Sequence, residues 1–106
     1  MYVAERLIIL AEECAEVQQG VAKCLRFGLD SKHYYEPSIT NQKQLARELG
    51  DLQGLINNMV TVGILTQEEL DEGAERKINK MKKWTRWLPD GSINPENTAE
   101  KDWETL

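Results

Sequence analysis

The residues that could do chemistry are carboxylates. Glu13 and Glu16 stand three apart inside the run Glu12-Glu13-Cys14-Ala15-Glu16, and Glu48 and Asp51 repeat that interval further along the chain. On a helix, residues three or four apart are neighbours on one side, where like charges repel and weaken the helix. A use that repays this cost is a hard cation such as Mg²⁺, which takes oxygen ligands. Two merely solvated acidic faces are the plain alternative, since Glu is common on helix surfaces.

Both pairs fall in helical patterns. From 3 to 27 an apolar stripe runs through Val3, Leu7, Leu10, Cys14, Val17, Val21 and Cys24, in steps of four and three. Such steps mark a helix that packs along its length. A second stripe holds Ile9, Glu13, Glu16, Gly20, Lys23 and Phe27, with Glu12 pointing further round. At about 100° per residue the two stripes lie roughly 110° apart, so the acidic one can face another helix. Gly28 is the expected C-terminal stop.

Residues 29 to 41 read as a loop, with Pro37 disfavouring helix before it and Ser38, Thr40 or Asn41 as the cap of the next element. Residues 42 to 63 repeat the design. Leu45, Leu49, Leu52, Ile56 and Met59 form an apolar seam, and Glu48, Asp51, Leu55, Asn58 and Val62 run beside it. Antiparallel packing through the flanks would bring both acidic pairs into one pocket. Gly63 closes this helix, and Thr66-Gln67-Glu68-Glu69 is a capping box for a third over residues 67 to 88. That helix carries Leu70, Ala74, Ile78, Met81 and then Trp84 or Leu88. Its acidic early turns and basic later turns suit the helix dipole. Pro89-Asp90-Gly91 breaks it, leaving a polar tail over 89–106 in which Trp103 and Leu106 are the residues able to dock.

The predicted fold is therefore all-α: one domain over residues 1–88 with three main helices per chain, followed by the tail. Helices of this length measure roughly 30 to 37 Å. They bury their sides best against another copy, so a bundle completed by oligomerisation, as a homodimer or homotetramer, is expected.

Composition narrows the function. The net charge of −5 argues against a nucleic-acid polymer as partner, because phosphate contacts need a basic surface. No run of 18 apolar residues suggests a membrane span. The N-terminal residues become charged at once, unlike a signal peptide, so a cytoplasmic setting is expected. Cys14 and Cys24 sit on one helix about 15 Å apart, too far to bridge within a chain, and read as core thiols. His33, the sole histidine, falls in a loop, which argues against His-rich zinc or di-iron chemistry.

The pair of motifs, E-E-C-A-E at 12–16 and E-L-G-D at 48–51, resembles the all-alpha nucleoside triphosphate pyrophosphohydrolases, and the MazG branch in particular. That family is marked by E-E-x-x-E and E-x-x-D on successive helices. Leu10-Ala11 before the first motif, Lys23 to Gly28 after it, and Asp51-Leu52 fit as well. The likeness covers roughly residues 5 to 86. The 31 residues from Val17 to Arg47 exceed the connection in compact members.

The resemblance implies hydrolysis between the α- and β-phosphates of a nucleoside triphosphate, giving a monophosphate and pyrophosphate. It implies Mg²⁺, with Mn²⁺ able to stand in, on Glu13, Glu16, Glu48 and Asp51. Glu12 would orient the site or help to activate water. Lys23 and Arg26 are candidates to reach phosphates, with Lys77 and Lys80 behind them. Asn58 is a candidate for a base edge. Trp84 and Trp87 suit a core or an interface better than base stacking. Hydrolysis of dUTP or of phosphoribosyl-ATP on the same fold is the nearest rival. A non-catalytic helical protein that binds a cation or a partner is the rival from another class.

Overall fold

Threonine and glycine set the helix ends. Thr40 takes the N-cap position in extended conformation and its hydroxyl accepts from the Lys43 amide at 3.1 Å. Thr66 does the same for Glu69 and also donates to that residue's carboxylate at 2.7 Å. Gly63, in the left-handed region at φ +83, lets Ile64 N–H reach Met59 carbonyl while its own N–H reaches Val60. This is a Schellman closure, which a Cβ would disfavour. The computed structural model describes residues 2–32 and 36–97. In order it contains α1 (Tyr2–Phe27), α2 (Asn41–Thr61) and α3 (Gln67–Trp84). The described residues include no strand, only isolated bridges between Lys32 and Thr40 and between Trp87 and Ile93. The chain is all-α, as its patterning indicates. His33, Trp103 and Leu106 lie outside the described residues.

The chain divides into two units, Met1–Ile64 and Leu65–Leu106. In the first, α1 and α2 run antiparallel. Tyr2 hydroxyl meets Val62 carbonyl, Arg6 Nε donates to Asn58 Oδ1 at 2.8 Å, and Gly20 lies against Leu45. Cys24 Sγ lies 3.6 Å from Asn41 carbonyl. Each step up α1 is thus a step down α2. The connection is pinned at its base: the buried Asn41 donates to Gly28 carbonyl, and the amides of Asn41 and Gln42 reach Ser31 and Leu29.

The face that α1 turns to α2 is the acidic flank, as antiparallel packing through the flanks requires, but the apolar seam beside it is less covered than expected, with Leu10, Val17 and Cys24 half-buried. Val3, Leu7, Cys14 and Val21, predicted as packed seam, are exposed. The only buried residue of α1 is Gly20, from the acidic stripe. An ideal Cβ at Gly20 would lie 3.3 Å from Leu45 Cδ1, so the missing side chain is what allows the two helices to close here. The reading of both cysteines as core thiols is corrected accordingly: Cys14 is exposed and Cys24 is half-buried. Among the described residues the buried apolar side chains are Ile39 and Met59 alone.

In the second unit α3 stops at Trp84, short of the predicted 88. The reason is tertiary. Thr85 turns extended, and its hydroxyl donates to Met81 carbonyl. The fully buried Asn94 donates to Lys82 and Thr85 carbonyls at 2.7 and 2.8 Å, and Asn97 donates to Trp84 carbonyl. Side chains from the following loop satisfy the last carbonyls that another helical turn would have used. Pro89-Asp90-Gly91 forms the tip of that loop, closed by Leu88 N–H to Ser92 carbonyl. No residue of α3 is buried, and Ile78 and Trp84 are exposed.

Candidate metal-binding site

Antiparallel register places the Glu13–Glu16 pair of α1 beside the Glu48–Asp51 pair of α2. One carboxylate oxygen from each of the four lies within 4.8 Å of the others. Glu13 and Glu48 are half-buried, whereas Glu16 and Asp51 are exposed at the outer edge. The group is thus sunk on one side and open on the other. Four carboxylates in this space could hold a metal ion.

Two details show that the set is electrostatically incomplete as the protein alone provides it. Glu13 Oε2 is shut away from solvent with no hydrogen-bond partner among the described residues. A buried carboxylate oxygen without a partner is costly. Glu16 is held above the ordinary carboxylate pKa, first by a hydrogen bond shared with Glu48, then by the charges of Glu13 and Glu48, with Asp51 adding least. Two carboxylates can share a hydrogen bond only if one holds a proton. A bound cation would do the same neutralising work at neutral pH. Glu48 is also oriented by α2 itself, since Gln44 Nε2 donates to its Oε1 at 2.7 Å.

Beside the quartet lies a polar cavity of about 230 Å³ that shares Glu16 and Glu48 with it. Gln19, Gly20 and Lys23 line it from α1, and Gln44 and Arg47 from α2. Lys23 therefore sits where its stripe suggested. Among the described residues neither Lys23 nor Arg47 makes an ion pair, although three carboxylates share their cavity. Sequence reasoning missed Arg47, Gln19 and Gln44. Gln44 stands four before Glu48 and extends its acidic stripe, a signal the sequence offered. Arg47 and Gln19 are not members of the acidic stripes, and only the pairing of two helices brings all three to one wall.

The remaining candidates stand elsewhere. Glu12 is exposed and outside the converging four. Arg26 lies over the Phe27 ring at 5.0 Å. Asn58 is engaged by Arg6, near the opposite end of α1 from Lys23. Lys77 and Lys80 belong to α3 in the second unit, where Lys80 borders a depression with Glu72, Glu75 and Trp84. Trp84 and Trp87 are exposed, with Lys83 and Arg86 over their rings. A larger depression of about 590 Å³ lies against Leu88, Pro89 and Pro95. Asp90 and Glu96 also line it, but among the described residues they belong to no group of three or more potential metal ligands.

Gly20 offers a direct probe of this geometry. Gly20→Leu should force α1 from α2, costing about 1–3 kcal/mol through overpacking and weakening divalent-ion binding as Glu16 and Glu48 separate. Gly20→Ala displaces only the mobile end of Leu45 and gains about 1 kcal/mol of helix propensity, so it should be neutral or stabilising. Thermal melts with and without Mn²⁺ check both. A leucine variant that melts and binds like the wild type would show that close approach at Gly20 does not hold the site.

No family model, curated protein or solved structure matches the chain. No helix among the described residues is long and apolar enough to cross a membrane.

Proposed function

We propose that the chain is a Mg²⁺-dependent nucleoside triphosphate pyrophosphohydrolase of the MazG-like kind, with Mn²⁺ able to replace Mg²⁺. The observation that carries this reading is the orphaned Glu13 oxygen inside four carboxylates held within 4.8 Å of one another. The donor set is all carboxylate, which suits a hard divalent ion. Oxygens on opposite sides of one Mg²⁺ lie roughly 4 Å apart, so small side-chain rotations suffice to close the set. The motifs at 12–16 and 48–51 supply the choice of reaction. A small nucleotide as partner, a homo-oligomeric state and a cytoplasmic setting belong to the same proposal.

When bound, the ion supplies neutralising charge for the phosphates and a water acidified enough to attack phosphorus. The chain's own residues do the rest. Glu13, Glu16, Glu48 and Asp51 would hold the ion, and Gln44 fixes Glu48 by donating to its Oε1. Lys23 and Arg47 grip the terminal phosphates from the two helices that wall the cavity. The planar Arg47 guanidinium suits two phosphate oxygens at once. Water adds to the α-phosphorus. The bond from that phosphorus to the bridging oxygen breaks, and pyrophosphate leaves with the electron pair. Glu12 keeps the role its motif position implies, ordering the site or drawing the proton from water.

The test is a panel of standard and modified nucleoside triphosphates, with dUTP and phosphoribosyl-ATP included, incubated with Mg²⁺. Pyrophosphate and a monophosphate should appear, and the preferred member of the panel separates the same-fold rivals. Release of inorganic phosphate alone would mean that a different bond is cut. No turnover on any member, with metal still bound, would leave a cation-binding helical protein as the better reading.

A further inference from the structure

We propose that the groove at the end of α3 is the docking site for a segment of this same chain, residues 98–106, with Trp103 as its anchor. The groove measures about 590 Å³ and lies within the second unit. Its apolar lining is Leu88, Pro89 and Pro95. The end of α3 adds Lys82 and Lys83, and the following loop adds Glu96. A volume of this order accepts a bulky side chain with its neighbours, since ligand pockets span roughly 300–1,000 Å³.

The frame of the groove is fixed, but its charges are not all answered. The buried Asn94 ties the loop to the carbonyls of Lys82 and Thr85. Asp90 is occupied by the amide and hydroxyl of Ser92. By contrast, Lys82 and Lys83 make no ion pair among the described residues, and the Glu96 carboxylate has no partner there either. The groove thus offers apolar surface, two unpaired cations and one open acceptor.

The occupant follows from charge, chemistry and reach. Residues 98–106 lie outside the described residues and read Thr-Ala-Glu-Lys-Asp-Trp-Glu-Thr-Leu. Asp102 and Glu104 adjoin Trp103, Glu100 precedes them, and Lys101 is the one cation. An aromatic anchor inside a net acidic run is the complement of an apolar groove with two unpaired lysines. Tryptophan buries up to about 250 Å², and its indole N–H takes an acceptor when buried. Glu96 is placed to be that acceptor. The chain also reaches. Asn97, the last described residue, donates to Trp84 carbonyl at 2.8 Å, and so starts the segment beside Lys83. Trp103 stands six residues further on, at most about 20 Å when extended. A short tether holds such a segment at an effective concentration on the order of mM, which favours it over a free peptide or the tail of another copy.

The experiment uses the full chain labelled with 5-fluorotryptophan. The fluorine resonances that Trp103→Phe and Trp84→Phe remove are those of the two residues. A soluble paramagnetic reagent should broaden the Trp103 resonance far less than that of Trp84, which is 68% exposed. Lys82→Glu with Lys83→Glu should abolish the protection. Adding Glu100→Lys, Asp102→Lys and Glu104→Lys should restore it, a recovery that misfolding of the lysine variant could not give. Location is read separately. A benzophenone-bearing phenylalanine in place of Trp103 should, on illumination, label residues 82–96 of the same chain. A Trp103 resonance broadened as strongly as that of Trp84 would overturn the proposal. So would protection that survives reversal of both lysines, or labelling that falls on another chain or off the 82–96 stretch.

Discussion

Glu48→Ala should all but abolish pyrophosphate release while leaving the helices intact. Glu48 is the carboxylate with the most connections in the site: it shares a hydrogen bond with Glu16, is held by Gln44, and lines both the quartet and the cavity beside it. Groups that only support a metal ligand are worth roughly 10–100-fold in affinity or activity, so loss of the ligand itself should cost at least on the order of a hundredfold in turnover. Alanine is the best helix former, so circular dichroism should be unchanged. Asp51→Asn, nearly isosteric, should behave alike. Lys23→Ala and Arg47→Ala should act mainly on KM if they only grip phosphate. Glu12→Gln should lower kcat without lowering metal affinity, as befits an exposed residue outside the four. Turnover by the Glu48 variant at the wild-type rate would remove the quartet from the reaction.

The second large effect is thermal. At a hundredfold excess over its dissociation constant, a ligand of the native state alone adds about 2.7 kcal/mol. In a chain of this size that corresponds to a rise in Tm on the order of 10 °C. Mn²⁺ or Mg²⁺ should produce such a rise, and Glu13→Gln should blunt it. The effect should also depend on pH with a definite sign. The folded state raises the Glu16 pKa, chiefly through the hydrogen bond with Glu48, so it binds that proton more tightly than the unfolded chain does. The associated stability is present below the unfolded value and is lost as pH rises through the folded one. Metal binding runs the other way, because the ligands must be deprotonated. The shift in Tm on adding metal should therefore grow from mildly acidic to neutral pH, and Glu16→Gln should flatten that growth. A shift of equal size at both ends of the range would separate Glu16 from the metal site.

Much of this was legible in the chain because the signals are local. The stops at Gly28 and Gly63, the Thr66 capping box and the repeated three-residue acidic interval are each contained within one helical turn. The convergence of the four carboxylates needed one further assumption, antiparallel packing, which a chain with two matching seams makes natural. What was not legible depends on partners distant in sequence. Periodicity finds two stripes on α1 but cannot say which one meets α2. Gly20 decides it, by allowing the backbones to close at Leu45. The end of α3 was missed because the steps from Met81 through Trp84 to Leu88 continue the helical rhythm. Asn94, which stops it, acts from the far side of a turn. Arg47 belongs to no stripe, and its place beside Lys23 exists only once the helices pair.

The sparse interior has a consequence for how the protein behaves on dilution. With Ile39 and Met59 as the only buried apolar side chains among the described residues, a single chain has little to hold its backbone amides against solvent. Slow hydrogen exchange in such a chain should be confined to the stretch around Gly20 and Leu45, with the α1 amides elsewhere exchanging on the time scale of local opening. If folding draws its remaining stability from association, protein concentration becomes a thermodynamic variable of the fold itself. Specific activity should then fall as the protein is diluted, and the protection factors of α1 should fall with it.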